Sequence, residues 1–172
     1  AIKYIIQKDL KILKYFTLSL TITFAFGLVY GFIYFFGDFN KILYEANYSR
    51  IPLPFTDEFI LGSYFARLFP IFFCLYLYFF SNKILYIIIL SIITICCDVL
   101  IYISGERTAF ALISISIIFL IFSLKKFRII RFITLVISIF IITSITLFNS
   151  TVKDRMIDQT ISSIYNNDNN NI

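Results

Sequence analysis

Five stretches of this chain are each about as long as a bilayer is thick and almost free of charge, and no other feature limits its fold so strongly. They are Tyr15 to Phe36, Tyr64 to Phe80, Ile84 to Ile103, Thr108 to Leu124 and Phe132 to Phe148. Together they hold only two charged residues, Arg67 and Asp98. A helix rises about 1.5 Å per residue, so roughly 20 apolar residues cross a hydrocarbon core of roughly 30 Å. The chain is 60% hydrophobic and 20% aromatic, more apolar than a water-soluble domain of this length. The expected fold class is therefore an all-α polytopic membrane protein of about five transmembrane helices. Residues 1–172 form one membrane domain, with an outer loop at 37–63 and the start of a larger outer loop at 149–172. The chain does not begin with Met and ends in a polar Asn/Asp string, so it is expected to be a piece of a longer protein. No cleavable signal with a small-residue cleavage site is visible, so insertion rests on the spans themselves.

The connections fix the expected orientation. Lys3, Lys8, Lys11 and Lys14 stand against Asp9 before the first span, with Ile2, Ile5, Ile6, Leu10 and Leu13 at helical spacing. Lys83 lies between the second and third spans, and Lys125, Lys126, Arg128 and Arg131 between the fourth and fifth. Basic residues favour the cytoplasmic side. With the N-terminus in the cytoplasm, nine bases and one acid fall inside, against six bases and eight acids outside. The formal net charge of +5 thus reports topology, with the N-terminus expected in the cytoplasm, and gives no reason to expect nucleic acid as a partner. Gly27 and Gly31 have the G-x-x-x-G spacing that lets a second helix approach, from this chain or from another copy. Cys74, Cys96 and Cys97 sit in apolar runs and read as buried thiols.

The same orientation brings several charges to the outer face. Ser104-Gly105-Glu106-Arg107-Thr108-Ala109-Phe110 links two spans, and a Ser-Gly turn alone would suffice for that. Asp57-Glu58 close the outer loop, and Arg67 lies one turn inside the second span. A guanidinium donates paired hydrogen bonds to phosphate and stays charged where water is scarce. Arg107 and Arg67 are thus candidates for binding a lipid pyrophosphate, with no metal or other cofactor required. The chain has no His, so a general base would be a carboxylate: Glu58, Asp57 or Glu106. Each residue also has a plainer reading. The arginines can snorkel to the interface, and Asp57-Glu58 can favour a helix N-terminus. An intramembrane carboxylate needs a partner, and for Asp98 the expected partner is Arg67 or Arg107.

Phe55-Thr56-Asp57-Glu58-Phe59-Ile60-Leu61-Gly62-Ser63-Tyr64, followed by Arg67 and Pro70, resembles the loop-to-span entry of bacterial O-antigen polymerase and O-antigen ligase-like membrane proteins. Ser104-Gly105-Glu106-Arg107-Thr108-Ala109 resembles that family's Gly-x-Arg-Ser/Thr hairpin. Val152-Lys153-Asp154-Arg155-Met156 resembles the start of its large outer loop. The resemblance implies the helical fold of lipid-dependent (GT-C-type) glycosyltransferases. It implies outer-face transfer from an undecaprenyl-pyrophosphate-linked glycan to a second glycan or to a lipid A-core acceptor. Arg107 would carry over as a pyrophosphate-contacting residue, Arg67 less directly. The family's ligases use a periplasmic His; its absence here implies a polymerase-like chain, or a His beyond Ile172. Two readings from other classes stand beside this one: a polysaccharide-lipid transporter or flippase, and a membrane subunit without chemistry of its own.

Overall fold

The computed structural model describes residues 10–37, 51–52, 54, 58–80, 83–158 and 160–162. Five helices carry the pattern read above: α1 (Leu10–Phe36), α2 (Leu61–Phe80), α3 (Ile84–Ile103), α4 (Arg107–Ser123) and α5 (Arg128–Phe148). A one-turn 3₁₀ segment, Lys125–Phe127, joins α4 to α5. A short α6 (Ser150–Lys153) and a π-helical turn (Asp154–Asp158) follow. No strand occurs among the described residues.

Four of these helices, α1, α2, α3 and α5, are long and apolar enough to cross a membrane. The 17 residues of α4 reach about 25 Å, at the short end for a span. The expectation of about five spans thus becomes four full-length helices and one shorter apolar helix. Boundaries also move. The helix α2 begins at Leu61 and not at Tyr64, because a distant side chain holds its first turn. The helix α5 begins at Arg128 and not at Phe132, because Arg131 is buried inside the bundle.

Successive helices alternate in direction. Leu61 and Leu100 both lie against Gly31, Gly62 is bonded to Glu106, and the Tyr102 hydroxyl meets Thr146 Oγ1 at 2.9 Å. One end of the bundle therefore gathers the C-termini of α1, α3 and α5 with the N-termini of α2 and α4. The other end holds the positions of Lys11, Lys14, Lys83, Lys125 and Arg128.

The core lies along α2 and α3. Phe24 of α1 meets Phe65 edge-on at 4.8 Å between ring centroids and stacks on Phe72 at 4.5 Å. Such pairs add about 0.5–1.5 kcal/mol beyond the area they bury. The close approach of α1 requires Gly27, where a Cβ would stand 2.7 Å from Phe65 Cζ. Both glycines of the G-x-x-x-G motif are buried against this chain's own α2 and α3, so intramolecular packing accounts for the spacing. All three cysteines are free thiols, but only Cys97 is buried as expected; Cys96 is half-buried and Cys74 is exposed on an outward face of α2. Outward faces carry Phe119, Phe122, Ile129, Phe140 and Phe148, all exposed. Large apolar residues around the outside of an apolar core are what a bilayer, and not water, would solvate.

Candidate functional site

The hairpin between α3 and α4 is a built turn. Gly105 has φ 71°, a left-handed conformation that residues with a Cβ adopt at a cost. Ser104 is buried, and its hydroxyl donates to the Ile101 carbonyl at 2.7 Å. Glu106 follows in extended backbone (φ −96°, ψ 95°), and its carbonyl accepts the Phe110 N–H at 3.0 Å. Its backbone thus opens α4 while its side chain serves another helix. Glu106 Oε1 accepts the Gly62 N–H at 2.7 Å, and Oε2 accepts the Ser63 N–H at 3.1 Å. Oε2 also accepts the Ser63 hydroxyl. The first turn of a helix has N–H groups without intrahelical acceptors, and a carboxylate there is favoured by the helix dipole. Glu106 supplies it from 44 residues away.

This geometry gives Glu106 a structural task. The sequence reading offered it as a catalytic carboxylate, yet it is 5% exposed and both its oxygens accept bonds from α2. It staples the N-termini of two helices that run in the same direction. Arg107, the next residue, is the first of α4 and is half-buried. Its position at the end of the bundle is set by that staple. Arg67 is exposed on α2, five residues inward from Gly62, about 7.5 Å along the axis. Glu58 is exposed three residues before α2. Asp57 lies outside the described residues. The structure therefore places Arg107, Arg67 and Glu58 at one end of the bundle, and joins Glu106 to α2.

The staple leaves little room. A Cβ on Gly62 would collide with Ser104 Oγ and stand 3.1 Å from Glu106 Oε1. Overpacking of this kind costs about 1–3 kcal/mol. Gly62→Ala is therefore expected to lower the heating midpoint of the detergent-solubilised protein measurably. Gly37→Ala, half-buried just past the end of α1, should leave that midpoint closer to the parent's.

The intramembrane carboxylate has a different partner from the one expected. Asp98 pairs with neither Arg67 nor Arg107. Arg131 of α5 holds it in a two-point ion pair, NH1 to Oδ2 at 3.1 Å and NH2 to Oδ1 at 3.2 Å. Ser138 Oγ donates to Oδ2 at 3.0 Å, and NH1 also donates to Thr134 Oγ1 at 3.3 Å. The guanidinium lies over the ring of Phe69, 5.2 Å from its centroid. Arg131 is 1% exposed. Sequence reasoning had counted it with the basic connection before the fifth span. Arg131, Thr134 and Ser138 recur at helical spacing on an otherwise apolar helix, which is the signal that could have moved it into the bundle.

Beside the pair, between α4 and α5, lies a cavity of about 210 Å³. It is walled by Phe110, Ile113, Ile117 and Ile142 and reaches Asp98 and Ser138. No known family, characterised protein or solved structure matches the chain.

Proposed function

We propose that this chain is the membrane part of an outer-face glycan polymerase or ligase that draws on an undecaprenyl-pyrophosphate-linked oligosaccharide. The observation that supports it best is the stapled pair of helix starts. Two parallel helices, α2 and α4, begin at one end of the bundle, and Arg107 opens the second of them. A helix N-terminus and a guanidinium both favour an anion. Glu106 already occupies the start of α2, so an incoming diphosphate is assigned to Arg107 at the start of α4, with Arg67 reaching from α2.

In this reading the hydroxyl of a glycan or lipid A-core acceptor attacks the anomeric carbon of the donor sugar. The bond from that carbon to the pyrophosphate oxygen breaks, and the diphosphate leaves with the electron pair. Arg107 stabilises the charge that develops there. The hydroxyl proton passes to a carboxylate, and Glu58 is the exposed candidate, with Asp57 next to it in sequence. The protein reconstituted in vesicles with a synthetic undecaprenyl-pyrophosphate-linked repeat unit should release undecaprenyl pyrophosphate and lengthen the glycan, or pass it to added lipid A-core. Release of no diphosphate with either acceptor would reject the reading.

One observation favours a second reading, that of a transporter for such a lipid. A charged pair within the span region, next to a cavity, is where substrate paths through membranes are found. The two charges pair with each other and leave only the buried Arg131 Nε without an acceptor among the described residues, which favours a closed structural pair. The same vesicles separate the readings: a transporter would move the donor between leaflets without breaking its pyrophosphate bond.

The orientation belongs to the same proposal. The bundle end with Lys83, Lys125 and Arg128 is assigned to the cytoplasm of a bacterial inner membrane, and the Arg107 end to the outer face. A phosphatase fused after Ser104 should be active and one fused after Lys126 inactive. The reverse pattern would put Arg107 on the side where the basic residues were expected and remove the outer-face assignment.

A further inference from the structure

The helix α5 turns the usual relation between faces inside out. Its buried residues are Arg131, Thr134 and Ser138, all polar, whereas Ile129, Phe132, Val136, Phe140 and Phe148 are exposed. Of the four long helices it also has the smallest buried share, 17% against 33–44%. Leu135, Ile141, Ile142 and Ile145 pack on the core only partly buried, so apolar packing fixes the depth of α5 less firmly than that of the other long helices. Lipid gives no hydrophobic force for helices to associate, so polar contacts carry more of that task.

Those contacts have a direction. Ser138 meets Asp98, 40 residues apart in sequence, and Thr146 meets Tyr102, 44 apart. The helices α3 and α5 thus run in parallel, and the offset of 40 sets the Arg131 backbone level with Ser91. Both residues line one small cavity. Asp98 lies seven residues farther along α3, about 10 Å. The Arg131 side chain therefore stretches toward the Arg107 end of the bundle, away from Lys125 and Arg128 at its own end. Left to itself, an arginine one turn inside a span reaches back to the nearer interface.

We propose that Asp98 is a depth lock for α5. It draws the Arg131 guanidinium into the bundle and holds α5 against sliding toward its basic end. Without Asp98, Arg131 returns to the interface beside Arg128 and α5 moves in that direction. This inference does not depend on what the protein catalyses.

Two added-cysteine reporters in the full chain test it, each read with a water-soluble maleimide in intact and in opened membrane vesicles. They are Phe148→Cys at one end of α5 and Ile129→Cys at the other, with the protein carrying only its native thiols as the blank. Adding Asp98→Asn should cut labelling at Phe148→Cys severalfold and raise it severalfold at Ile129→Cys, per molecule of protein. Changes of opposite sign mark a translation, which a loosened fold does not produce. Adding Arg131→Leu to Asp98→Asn should return both ends to parental labelling, since nothing then pulls α5 back. Unchanged labelling at both ends would overturn the proposal. So would a change of the same sign at both ends, or a double variant that stays shifted.

Discussion

On the glycan-transfer reading proposed above, Arg107→Ala is expected to reduce transfer by about 10²–10³-fold, the cost of removing one electrostatic donor from a developing negative charge. Arg107 follows Glu106, whose backbone opens α4 and whose carboxylate closes the first turn of α2. The staple is made by Glu106 and not by the arginine, so the substitution leaves those bonds in place. Arg107→Lys keeps the charge and loses the planar pair of donors, so it should also be strongly impaired. The expected pattern is a loss mainly in kcat, with both proteins inserted and heating midpoints near that of the parent. If Arg107→Ala inserts normally and transfers glycan at the parental rate, Arg107 is an interface anchor and the diphosphate binds elsewhere.

How much of this was legible in the sequence depends on distance along the chain. The spans were legible because charge-free runs of Phe, Ile and Leu of this length have few other solutions. The hairpin was legible because Ser104-Gly105 is local turn chemistry, and the left-handed Gly105 agrees with it. The start of α2 was not. Gly62 and Ser63 are weak helix formers, and what holds them is Glu106, which enters from another connection. Read in one dimension, Glu106 is an acid next to an arginine and looks like chemistry. Read in three, it is a cap.

Arg131 was misread for a related reason. It follows Lys125, Lys126 and Arg128, so it joined their cluster on sequence proximity. The spacing to Thr134 and Ser138 pointed inward instead, and an inward polar stripe on an apolar helix implies a polar partner on a neighbour. Which neighbour could not be read. Asp98 lies at a depth that Arg67, Arg107 and Arg131 can each be imagined to reach. Packing and facing make the choice: α3 lies along both α2 and α5 and touches α4 less, and on α2 the residue Arg67 is exposed while on α5 Arg131 is buried.

That pairing carries the second large expectation. Removing one partner of a buried ion pair leaves the other charge without compensation, which costs about 3–5 kcal/mol in soluble proteins. Asp98→Ala should accordingly lower the heating midpoint in detergent more than any substitution at the Arg107 end of the bundle, and reduce the amount of protein in the membrane. Asp98→Asn should do the same to a smaller degree, because an amide keeps the volume of the site and still accepts from Ser138. Replacing both partners tells whether the pair adds stability or only must not be broken. Asp98→Leu with Arg131→Met removes both charges and keeps much of the volume, and paired apolar replacements of buried ions are often neutral or stabilising. Phe69 and Phe73 already flank the guanidinium, at 5.2 and 6.0 Å to their centroids, so an apolar side chain there has partners to pack against. The double variant is therefore expected to recover the parental midpoint, and to retain glycan transfer wherever α5 keeps its depth. A double variant as unstable as Asp98→Ala would mean that the pair itself holds α5 to α3, through geometry that apolar side chains cannot supply.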